Sequence, residues 1–179
     1  MMTTKQTYKT GLGTSDADSI TLLGHDLATE ILGKYSFGEL SYYLITKRRP
    51  TPGQLVMFEA VLASLADHGF TPTAIAARLT YASAPDSLQG ALAAGLLGGG
   101  SRFLGVTEDC AHFLARELKE IGAAPTTQDG WDAAALNAVQ KQKDNGKFVP
   151  GLGHPVHKQG DPRTPVLMAM AREQDLFGS

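Results

Sequence analysis

A chain of 179 residues and 19.0 kDa, 42% of them apolar and with a formal net charge of −2, is long and hydrophobic enough to bury a core in one large domain or two small ones. Near-neutral charge with one cationic triplet, Lys47-Arg48-Arg49, excludes a general nucleic-acid binder, whose affinity comes from neutralising phosphates. The single cysteine, Cys110, excludes an intrachain disulfide framework and fits a reducing, cytoplasmic setting, and no run of about 18 apolar residues marks a membrane span.

The first 20 residues are polar and lack an apolar signal core, so they are expected to form a flexible arm. A helix is expected near 24–33. Residues 36–47 open with Ser36-Phe37-Gly38-Glu39, a capping-box pattern, and carry Leu40, Tyr43 and Leu44 on one side. Residues 53–67 place Leu55, Phe58, Val61, Leu62 and Leu65 on one face, between Pro52 and Gly69. Helices follow near 71–81 and 86–98. From Thr107 a further helix has Glu108 and Asp109 at its positive end, a stripe of Cys110, Phe113, Leu114 and Ile121, and Gly122 as its stop. Two more are expected near 130–143 and 164–175, the latter capped by Thr164-Pro165. β-Branched runs with period-two alternation are absent, so the fold class is all-α.

The segment SLQGALAAGLLGGGS, residues 87–101, is small or apolar nearly throughout. A helix apolar on every side is buried on every side. Its small residues allow close approach of another helix, either within the core of one subunit or across a subunit interface.

Chemistry concentrates in GLGHPVHKQGDPR, residues 151–163, whose density of glycine, proline and ionisable residues exceeds what a connector needs. Gly151 and Gly153 let the backbone around Leu152 approach a ligand and offer its N–H groups, which suits a phosphate- or adenine-bearing partner. The spacing of His154 and His157 brings zinc to mind. Pro155 breaks any helix that would align the two rings, and no Cys or Glu ligand is near, so no metal is expected. Arg163 precedes a helix, where its fork can meet a carboxylate; the simpler reading is a turn in which it pairs with Asp161. His68, in Ala66-Asp67-His68-Gly69 at the end of a helix, reads equally as a C-terminal cap or as a ligand. His25 and His112 are read as structural.

These residues carry a resemblance. GLGHPVHKQGDPR resembles the G-x-G-H-x-V-x(4,5)-DPR signature of the citrate synthase family, ADHG at 66–69 resembles the family's ADH segment, and LQGALAAGLLGGGSRFLG at 88–105 resembles the helix leading to its first catalytic loop. The order and spacing agree over roughly residues 20–175. The resemblance implies a citrate synthase-like helical fold with a large domain over 21–105 and part of a small domain over 106–179, a C-terminal portion being absent. It further implies a homodimer or higher oligomer. In the G-x-x-H-G segment of citrate synthases a histidine stabilises the enol of acetyl-CoA, whereas Phe103 stands at that place here and cannot donate a hydrogen bond. The GxRFxG form is similar instead to the citryl-CoA lyase branch, including the lyase module of ATP-citrate lyase.

The function so implied is retro-Claisen cleavage of citryl-CoA to acetyl-CoA and oxaloacetate. His154 would take the hydroxyl proton, His68 and Arg163 would bind the oxaloacetate-derived carboxylates, and Phe103 would face the substrate. Gly151, Leu152 and Gly153 would line the coenzyme A site, with Lys158 near its phosphates. No covalently bound cofactor, nucleic acid or membrane is implied. The alternatives are a citrate or methylcitrate synthase relative, and a non-catalytic CoA-binding module.

Overall fold

The computed structural model describes residues 10–100, 104–154 and 156–176. The chain divides into two compact units, Met1–Asp67 with Asp161–Ser179, and His68–Gly160. These limits differ from the division at 105 read from the sequence.

In the first unit, β1 (Gly13–Ser15), β2 (Ile20–Leu22) and β3 (His25–Asp26) form an antiparallel sheet in the order β1-β2-β3. Thr14 pairs with Thr21 and Leu22 with His25. The β1–β2 turn closes on Asp16, whose Oδ1 accepts the backbone N–H groups of Asp18 and Ser19. Strands of two or three residues are too short to leave an alternating pattern, which is why an all-α reading passes over them; the fold is nevertheless predominantly helical.

The helix expected near 24–33 is corrected to strand β3 and a single π-helical turn, Leu27–Ile31. Asp26 caps that turn, its carboxylate accepting from the backbone N–H and the hydroxyl of Thr29, both at 2.7 Å. Leu32 and Gly33 then leave helical geometry, the former extended and the latter at φ 73°.

Helix α1 (Phe37–Thr46) begins where Ser36 accepts from the Glu39 backbone N–H at 3.1 Å. Only this half of the expected box forms, because the Glu39 carboxylate is taken by Arg49 at 2.6 Å. The reciprocal box lies instead at α2 (Pro52–Ser64), between Thr51 and Gln54. Helix α2 packs on α1 and on α7 (Arg163–Glu173). Tyr42 meets Phe58 edge-on at 5.4 Å between ring centroids. Ile31 and Tyr43 are the buried side chains of this unit's core among the described residues.

The second unit contains α3 (Pro72–Ser83), α4 (Leu88–Leu97), α5 (Val106–Ile121) and α6 (Gln128–Asp144). Thr71 and Thr127 cap α3 and α6 through their hydroxyls. Gly95 of α4 allows close packing on α3: a Cβ there would lie 3.2 Å from both Ala77 Cβ and Thr73 O. Burial on every side is not what α4 shows. Ala91 is 4% exposed, whereas Leu88, Leu92 and Leu96, spaced by one helical turn, are 60–71% exposed. Phe113 of α5 and Ala138 of α6 are buried, and Lys141 of α6 reaches Glu120 and Glu117 of α5 at 2.6 and 3.7 Å. No helix among the described residues is long and apolar enough to cross a membrane.

Candidate active site

The glycine-rich loop follows α6 and is shaped by positive φ angles at Gly151 (82°), Gly153 (100°) and Gly160 (125°), a region that residues with a Cβ enter only at a cost. Two different needs select the first two. A Cβ on Gly151 would lie 2.8 Å from the Cys110 thiol, so the loop backbone rests directly against α5. A Cβ on Gly153 would meet nothing within 4 Å, so its conformation alone requires glycine and the space beside it is open. Between them Leu152 N–H donates to Val149 O at 3.2 Å, folding the loop into a tight turn.

His154 follows at once. Its Nδ1 accepts the backbone N–H groups of Val156 and His157, both at 3.1 Å. A nitrogen that accepts has its lone pair in use, so the proton of the neutral ring sits on Nε2. The His68 ring stands edge-on to that of His154, with centroids 5.7 Å apart and planes at 90°. The His157 ring lies on it at 4.6 Å and 34°. Residues 68 and 154, far apart in sequence, are thus brought together within the second unit, with Gly151, Gly153 and exposed Lys158 on the same loop.

Arg163 belongs to the first unit. Its Nε and Nη2 donate to Asp161 Oδ1 and Oδ2 at 2.9 and 2.6 Å, and its Nη1 donates to Ser64 O at 2.9 Å. The Asp161 hydrogen bonds raise the guanidinium pKa above its ordinary value. Asp161 also accepts the Arg163 backbone N–H at 2.9 Å, performing the capping duty that the sequence assigned to Thr164. Three of a guanidinium's five N–H groups are therefore engaged among the described residues. Phe103 lies outside the described residues.

Sequence reasoning missed three features here: the Cys110–Gly151 contact, the His157 ring on His154, and two cavities flanking α5. One, about 420 Å³, is apolar and includes Cys110, Phe113, Trp131 and Leu152 in its wall. The other, about 560 Å³, is lined by Arg116, Glu117, Glu120, Lys141, Lys147 and Phe148. Both border the start of the loop at Pro150. The charged residues at one-turn spacing on α5 and α6 were a readable signal for the second cavity. Nothing in the sequence marks the first.

The family model for the citrate synthase C-terminal domain matches residues 9–177. The chain belongs to the citrate synthase family. It is 34% identical over 130 residues to citrate synthase of Deinococcus radiodurans, covering 70% of this chain and 30% of that protein. It is 27% identical over 137 residues to a probable ATP-citrate synthase of Dictyostelium discoideum, covering 76% and 20%. Among solved structures of the family, citryl-CoA lyase from Hydrogenobacter thermophilus superposes with a TM-score of 0.79 at 32% identity, over 97% of this chain and 63% of that one. ATP citrate lyase from Methanothrix soehngenii, in complex with citrate and coenzyme A, gives 0.75 at 26% identity, over 96% and 26%. The chain thus spans under a third of these curated citrate synthase relatives and under two thirds of the lyase.

Proposed function

We propose that the chain forms the citryl-CoA site of a citryl-CoA lyase-like enzyme. The observation that carries this reading is the pairing of His68 with His154 at the end of a glycine loop bordered by open space. The likeness to citryl-CoA lyase and to an ATP citrate lyase holding citrate and coenzyme A supports it.

Cleavage removes the proton of the tertiary hydroxyl, breaks the adjacent carbon–carbon bond as the ketone of oxaloacetate forms, and leaves the bonding pair on the thioester enolate, which takes a proton to become acetyl-CoA. The backbone around Gly151, Leu152 and Gly153 holds coenzyme A, with Lys158 toward its phosphates. His68 binds a carboxylate of the oxaloacetate half, and the two remaining Arg163 N–H groups serve another. His154, with its proton on Nε2, donates to the substrate oxygen and stabilises the alkoxide from which the ketone forms. The hydroxyl proton leaves to solvent water, which returns one to the enolate carbon; the base role read from the sequence would need a free Nε2 lone pair, with the ring proton on Nδ1. Phe103 is assigned to the substrate pocket on the resemblance alone, and its place opposes the enol-stabilising step of a synthase. A homodimer joined through the Leu88, Leu92 and Leu96 face of α4 and a cytoplasmic location complete the reading.

The test is a coupled assay in which citryl-CoA is supplied and oxaloacetate is followed through malate dehydrogenase and NADH. Oxaloacetate release supports a lyase. Release of free thiol from acetyl-CoA plus oxaloacetate, without cleavage of citryl-CoA, replaces it with a synthase.

A further inference from the structure

Three imidazoles meet in the second unit, and the reading above uses two of them. The third, His157, touches His154 twice. Its backbone N–H donates to His154 Nδ1 at 3.1 Å, and its half-buried ring lies on the His154 ring with centroids 4.6 Å apart and planes tilted by 34°. The first contact decides which nitrogen of His154 carries the proton. The second lies against the face of the ring, opposing rotation about the bond that joins it to the backbone. His68, edge-on at 5.7 Å, borders the same ring. An imidazole whose Nδ1 is filled by main-chain donors and whose face is covered has one rotamer and one neutral tautomer available.

We propose that His157 is the positioning residue of the site, holding His154 as the neutral Nε2–H tautomer through its peptide N–H and its stacked ring. The stack needs a flat ring of this size and does not need a charge at position 157. The inference deepens the assignment of His154 as the group that meets the substrate oxygen. It stands apart from that assignment in one respect: the state of the His154 ring is a property of the free protein.

The decisive experiment is two-bond ¹H–¹⁵N NMR of the imidazole side chains in the ligand-free full chain, at a pH where the rings are neutral. In the parent, His154 is expected to show an unprotonated Nδ1 and a protonated Nε2. His157→Phe keeps the stack and should leave that pattern unchanged. His157→Ala removes the ring while keeping the peptide N–H, so the Nε2–H tautomer should persist while the His154 signals broaden as the ring gains rotational freedom. Where citryl-CoA is turned over, His157→Ala should lower kcat by about 3- to 10-fold, the scale of one lost aromatic pair, with KM little changed, and His157→Phe should restore it. A His154 ring protonated on Nδ1 in the parent overturns the proposal, and so does a His157→Ala spectrum identical to the parent's. A parent tautomer as expected, with no cleavage of citryl-CoA, leaves the positioning role standing and removes only the catalytic reading.

Discussion

Gly151 stands where the Cys110 thiol leaves no room for a Cβ, and at φ 82° its backbone would be strained with any other residue. The two costs separate by mutation. Gly151→Ala should lower stability by about 1–3 kcal/mol through strain and contact together. Combining it with Cys110→Ala should recover only the contact part, leaving the strain behind. Urea denaturation of both single variants and the double variant measures this coupling, and strictly additive losses would place the thiol elsewhere. Arg163 likewise has two roles at one side chain. Its bonds to Asp161 and Ser64 tie the start of α7 to the end of α2, so Arg163→Ala should lower stability as well as weakening oxaloacetate binding. Arg163→Lys cannot restore the fork of bonds to Asp161, and thermal unfolding should rank it with the alanine variant rather than with the parent.

At the scale of elements, caps do much of the ordering. Thr51→Ala breaks the box that begins α2 and should destabilise by about 1 kcal/mol, read as a shift in the urea midpoint with unchanged slope. Asp26 adds a pH signature. The Thr29 hydroxyl, and then backbone N–H groups, hold its pKa below the ordinary carboxylate value. A lowered folded pKa stabilises the fold above the unfolded value, and that contribution is lost as the pH falls through the folded one. Asp26→Asn should therefore flatten the acid side of the stability profile below about pH 4, measured by denaturation across that range. The helices α1 and α2, the acidic first turn of α5 and its glycine stop were legible because caps and periodicity are local signals. The sheet was not, since a two-residue strand such as His25–Asp26 is specified by its partners across the ladder rather than by its own pattern. The start of α7 was misread for a similar reason: Thr164-Pro165 carries a strong local signal, but Asp161 captures both the Arg163 N–H and its side chain.

For the whole molecule, none of the described side chains is fully buried, and the Leu88, Leu92 and Leu96 stripe of α4 is exposed in the single chain. Burying three leucines stabilises by about 1.5–3 kcal/mol each, enough to drive self-association through one helix face. Sedimentation at micromolar concentration should show a dimer, and Leu92→Glu should return it to a monomer of 19.0 kDa. A parent monomer would remove α4 from this role. The family was readable from three short motifs in order, whereas the tautomer of His154 depends on main-chain donors that no motif encodes.

If residues 151–158 and His68 form a coenzyme A thioester site, calorimetric titration of coenzyme A, which is bound without being turned over, will register it. Saturable binding is expected of the parent, with at least tenfold weaker binding by Gly153→Val, whose side chain enters the open space beside the loop, and nearly parental binding by His154→Ala. Equal affinity of all three proteins, or no binding by the parent, would contradict it.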